Sequence, residues 1–158
     1  MKDILEIVRT INAALPVNSM WDGFWVHSFR RRTLIISCSF DKIYYREFDL
    51  IFKKVIFFNV PESWRDTSVM GDDMIRVATM AEFHKYHEGF DTKNQFIFAI
   101  DLHFRHHGAE NSTMHTFFIV AEHIYLVKCQ HGNNNPVPEY VEPFGEEDFP
   151  CMKNRVRR

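Results

Sequence analysis

A chain of 158 residues with a formal charge of −2 is most simply one domain, long enough to bury a core without disulfide or metal staples. Hydrophobic residues make up 46% and include 16 Phe, which supply large buried areas. The charge balance removes any global argument for nucleic acid, and no stretch approaches the ~18 uninterrupted apolar residues of a membrane helix.

Cys38, Cys129 and Cys151 are odd in number and widely spaced, so they do not read as a disulfide framework, and Cys38 reads as a small buried hydrophobe. Met1-Lys2-Asp3-Ile4 lacks the basic and then apolar order of a secretion signal. The expectation is a cytoplasmic protein in a reducing setting, without a membrane partner.

Residues 3–15 predict an amphipathic helix. Ile4, Ile7, Val8, Ile11 and Leu15 fall on one stripe, Asp3 stands as cap, and Pro16 ends the run. Residues 20–60 then change to strand texture. Residues 21–29 are aromatic and β-branched, with Gly23 as a candidate bulge. Arg30-Arg31-Arg32 forms a charged turn, and Leu34, Ile36, Cys38 and Phe40 alternate as a half-buried strand. Residues 43–48 and 50–60 follow, the second interrupted by Lys53-Lys54 and stopped by Pro61. Strands this short, joined by tight polar turns, predict antiparallel hairpins.

Residues 72–89 support two readings. Asp72 as cap and Gly89 as terminator favour a helix, whereas Ile75, Val77, Thr79, Ala81 and Phe83 alternate as a strand face. Residues 96–104 and 114–128 predict the strongest hairpin, joined across residues 107–112. Beyond Gln130 the composition shifts to an Asn-rich turn, four of the six prolines, an acidic stretch at Glu146-Glu147-Asp148 and a basic end. That reads as a domain over 1–130 and an irregular tail over 131–158 that wraps it or stays partly disordered.

Residues 95–107 carry the most information. Phe96, Phe98, Ile100, Leu102 and Phe104 alternate with Ile97, Ala99, Asp101, His103 and Arg105, so one strand face is wholly apolar. The other begins apolar and ends as a row of Asp101, His103, Arg105 and His107. These four are the candidate polar rim of a binding surface, with Trp21 or Trp25 as anchor. A solvated face with weak surface pairs explains the same row. Imidazoles from His115 or His123 on a neighbouring strand would convert it into a convergent site. Residues two apart on a strand sit about 7 Å apart, so a metal would need ligands from elsewhere.

The remaining candidates are weaker. His84 and His87 lie at i, i+3 with Lys85 where a zinc hydrolase helix would carry Glu. The Arg30–Arg32 turn beside Trp25 and Phe29 suits a phosphate, but more often such a turn keeps a hairpin end in water. Trp64, with Trp21 and Trp25, belongs to core or interface. Glu122, which interrupts a face shared by Phe118, Val120, Ile124 and Leu126, is either a buried acid or the exposed point of an edge strand, and the second reading is preferred. No nucleophile turn or glycine-rich phosphate loop is present in the sequence.

Residues 48–60, from Phe48-Asp49-Leu50-Ile51 to Phe57-Phe58-Asn59-Val60, resemble the strand-rich middle of small bacterial domains of unassigned role, some of them immunity proteins of polymorphic toxin systems. Residues 117–124 are similar in character to their late strands. The resemblance covers about half of the chain and carries over no site. It implies a non-enzymatic protein that binds another protein.

The combined expectation is an α+β domain: an N-terminal amphipathic helix on a mainly antiparallel sheet of about six strands, with a second helix open at 72–89. The expected function is a protein-interaction module that needs no cofactor, contacting another protein or a second copy of itself as a homodimer. The alternative is a small enzyme or a ligand- or metal-binding protein with a His-rich pocket between sheet and helix.

Overall fold

The computed structural model describes residues 3–14, 23–39, 48–64, 73–105 and 112–128. Helix α1 spans Ile4–Ala14. Its cap is the expected one: the Asp3 carboxylate accepts from Leu5 N at 3.2 Å. Val8 and Ile11 are buried in the main core, with Ile4 and Ile7 packed at its edge. Asn12 locks the helix in place, donating to Ile75 O at 2.7 Å and accepting from Ile75 N at 3.2 Å.

Among the described residues nine strands follow in two antiparallel sheets. The first sheet is built from β1 (Gly23–Arg30), β2 (Thr33–Ser39), β3 (Phe48–Lys53), β5 (Ser63–Trp64) and β9 (His123–Lys128), in the order β5-β1-β2-β3-β9. The second is built from β4 (Phe57–Phe58), β6 (Arg76–Val77), β7 (Phe96–Arg105) and β8 (Ser112–Ala121), in the order β4-β8-β7-β6. The antiparallel α+β expectation holds, with the strands divided between two sheets. In β1 the register slips between Val26 and Ser28, so the bulge lies at His27 and not at Gly23.

The division comes from one corner. Lys53 pairs with His123 and Phe57 with Val120, so residues 54–56 oppose only residues 121 and 122. That extra residue is a β-bulge, which bends a ribbon and turns its side chains. Lys54 takes φ 55° there, and Glu122 N donates to Lys53 O at 3.1 Å. The ribbon β3–β9 therefore continues into β4–β8 around a bend and leaves one sheet for the other. The single strand expected over 114–128 breaks at Glu122 for this reason. Phe118 and Val120 belong to one core cluster and Ile124 to another, so the face they were expected to share is split.

The main core lies between the sheets and beneath α1. Leu34, Ile36, Leu50 and Phe52 from the first sheet meet Phe98, Ile100, Leu102 and Ile119 from the second. Phe52 and Phe98 touch edge to face at 5.5 Å. Cys38 is buried here as expected. The apolar face of β7 is thus the inward face.

Both readings of 72–89 are partly realised. Arg76 and Val77 form β6, and Met80–His84 forms the short helix α2. Thr79 caps α2, its hydroxyl accepting from Glu82 N at 3.1 Å. Phe83, fully buried, anchors α2 on the outer face of the second sheet against Ile97, Ala99, Phe118 and Val120.

The expected strand at 43–47, the Pro16 stop, the Asp72 cap, the 107–111 connection and the 131–158 tail lie outside the described residues. No described helix is long and apolar enough to cross a membrane.

Candidate interaction surface on the second sheet

The ladder between β7 and β8 runs unbroken from Phe96↔Ala121 to Arg105↔Ser112. Residues paired directly across an antiparallel ladder share a face. The outer face therefore takes positions 97, 99, 101, 103 and 105 of β7 with 120, 118, 116, 114 and 112 of β8. Helix α2 covers the first half of it. The second half begins at the Asp101–Thr116 pair, and positions 103 and 105 follow in the same register.

Asp101 is not a loosely solvated surface group. Its carboxylate accepts from Arg76 Nε at 2.6 Å, from Arg76 Nη2 at 3.2 Å and from Thr116 Oγ1 at 2.6 Å. The same guanidinium forks onto Glu82 at 2.9 and 2.6 Å. One arginine thus ties β6 to both β7 and α2, in the two-pronged geometry that suits Arg and not Lys. Glu82 is held below the usual carboxylate range, first by its hydrogen bond from Arg76. The two carboxylates raise Arg76 still further above its already high value, so it stays charged at any working pH.

His103 stands opposite Met114 in the register, and Arg105 opposite Ser112. Met114 is 58% exposed, an apolar side chain on a face with a charged border. Tyr86, just past α2, is also exposed, and its ring lies 6.0 Å from that of Phe118 on the same face of β8. Sequence reasoning missed Arg76, Glu82, Tyr86 and Met114. A signal for Met114 was available, since it directly precedes His115 in a strand whose pairing partner was already identified.

The imidazoles do not gather. His115 pairs with Leu102 and so takes the inward-facing register, opposite in parity to His103, and it is exposed. His123 belongs to the other sheet, beside Lys53. His84 meets Phe90 O at 3.1 Å, while the ring of His87 packs on those of Phe57 and Phe83 at 4.6 and 4.8 Å. Among the described residues no three His, Cys, Asp or Glu side chains are grouped to hold a metal.

Trp25 is half-buried on β1, and Trp64 is buried and stacked on Phe24 at 5.6 Å, so neither lies on the β7–β8 face. Trp21 and His107 lie outside the described residues. Glu122 is exposed and paired with Lys54 at 2.8 Å, as the edge reading expected, although its place is the corner between two strands.

These features define a strand-rich α+β protein with a mixed apolar and charged patch on one sheet face. Comparison with family models, with curated proteins and with solved structures gives no match.

Proposed function

We propose that the chain is a non-enzymatic protein-interaction module that engages another protein through the outer face of β7 and β8 beyond α2. The observation that supports it most is exposed Met114 set beside a braced Arg76–Asp101–Glu82 border. Exposed Met adapts its shape to a partner surface, and a rigid charged border supplies register and selectivity. Asp101, His103 and Arg105 form the rim in this reading, and Tyr86 extends the apolar part. Neutralising a partner by occupying its surface, as immunity proteins do, is the role that the resemblance of residues 48–60 and 117–124 implies. The setting we propose is the cytoplasm.

The test compares full-length protein with a His103→Glu/Met114→Glu variant in affinity capture from the cells that make it. The reading expects a discrete partner, or a second copy by solution mass, that is lost in the variant while its circular dichroism stays unchanged. Identical capture by both proteins contradicts it, as does stoichiometric metal in the purified protein.

A further inference from the structure

Three non-glycine residues at one end of the molecule hold left-handed backbone: Arg31 at φ 49°, Arg32 at 60° and Lys54 at 55°. Arg30 pairs with Thr33, so Arg31-Arg32 is a two-residue hairpin loop with both φ positive, the signature of a type I′ turn. Asn-Gly or Gly-Gly makes that turn without strain. The chain instead carries cations at both turn positions and at the corner, and all three residues are exposed. Strained backbone of this kind marks positions where the side chain matters more than local comfort.

The three residues are also joined. Val55 N donates to Arg32 O at 2.8 Å. The Arg32 guanidinium donates to Val55 O at 3.3 Å and to Lys54 O at 3.2 Å. Lys53 lies next in line, opposite His123. Arg30, Arg31, Arg32, Lys53 and Lys54 therefore gather at one end of the first sheet, in a chain whose net charge is −2. Within the group Lys54 pairs with Glu122 at 2.8 Å. Beside it Phe29, 49% exposed, rests on Phe58 with ring centroids 4.9 Å apart.

We propose that this basic corner docks an acidic segment of a partner protein, with carboxylates on Arg30, Arg31 and Lys54 and an apolar side chain on the Phe29–Phe58 shelf. A single aromatic shelf suits a protein segment better than a nucleic acid strand, which needs successive stacking rings along a basic groove. The corner sits at the Ala121 end of β8, about 20 Å along the strand from Met114, so it is independent of the surface proposed above.

The test titrates full-length protein with a short synthetic peptide rich in Glu and Asp that carries one Phe, read by amide chemical shifts. The expected result is shifts at Phe29, Arg31 and Lys54, binding that weakens with salt, and a loss of about tenfold or more in Arg30→Glu/Arg31→Glu. Arg31→Asn, which suits the turn, keeps the protein folded and weakens the peptide by a smaller factor. The proposal is overturned if no shifts appear at the corner, if the variants bind as tightly as the wild type, or if oligothymidylate of equal charge binds the same residues more tightly.

Discussion

Arg76 and Asp101 meet at 2.6 Å, Nε to Oδ2, across the step from a two-residue edge strand to the longest ladder of the second sheet. The other prong of the same guanidinium holds Glu82 at 2.6 Å. Replacing Arg76 by Ala removes the cation between two half-buried carboxylates and leaves Asp101 its hydrogen bond from Thr116. The expected loss is about 1–2 kcal/mol, small because solvent screens part of the interaction. Arg76→Lys recovers less than half of it, since an ammonium cannot fork. Urea unfolding midpoints of the two variants measure both effects.

The same network sets an acid dependence. Glu82 titrates below its ordinary value near 4.5, so it stabilises the fold above that value and loses the contribution as pH falls through its lowered folded-state value. Arg76 stays charged throughout and adds no slope of its own. Glu82→Gln is therefore expected to flatten the fall in thermal midpoint below pH 4.5, measured by calorimetry across that range.

Phe83 is fully buried and touches Phe57, Phe90 and Phe118 edge to face at 5.4, 5.8 and 5.4 Å. It is the buried residue of the five-residue helix α2. Truncation to Ala opens a cavity under that helix and is expected to cost about 3–5 kcal/mol. Hydrogen exchange is expected to rise first across residues 80–90, because Phe83 is the buried residue of α2 and the Arg76–Glu82 bridge alone does not fill the space beneath it.

Ser37 and Asp49 face each other across β2 and β3, both fully buried, with Ser37 Oγ donating to Asp49 Oδ1 at 2.5 Å. Asp49 Oδ2 has no hydrogen-bond partner among the described residues. Ser37→Ala removes the donor and is expected to destabilise by about 2–3 kcal/mol. Ser37→Ala with Asp49→Val is expected to recover much of that loss, because it removes the buried polar group altogether. Chemical denaturation of the single and double variants gives the comparison.

Arg31→Asn is expected to raise stability by roughly 0.5–1 kcal/mol by relieving a left-handed residue. Arg32→Gly relieves the same kind of strain but forfeits the hydrogen bonds to Lys54 O and Val55 O, so it gains nothing. Thermal melts of the pair separate strain from side-chain bonding.

The sequence made the elements legible where one period dominated. The alternation at 96–104 placed Phe98, Ile100 and Leu102 inward, and the stripe of α1 placed Val8 and Ile11 in the core. The second sheet was not legible, because a one-residue bulge opposite Glu122 reverses side-chain parity without any glycine or proline to announce it. The role of Asp101 was half legible. Its strand face could be read, but its partner Arg76 is 25 residues away in an edge strand too short to show a period. The idea that His115 joins His103 failed on register alone: a strand pairing known only approximately cannot tell one face from the other.

The most direct test places a photo-crosslinking amino acid at position 114, on the outer face of β8, and a second at Thr10 on the exposed side of α1, in the cells that produce the protein. The account predicts a discrete protein adduct at position 114 that is absent at position 10. No adduct at 114, or the same adducts from both positions, would contradict the claim that the β7–β8 face is where this protein meets its partner.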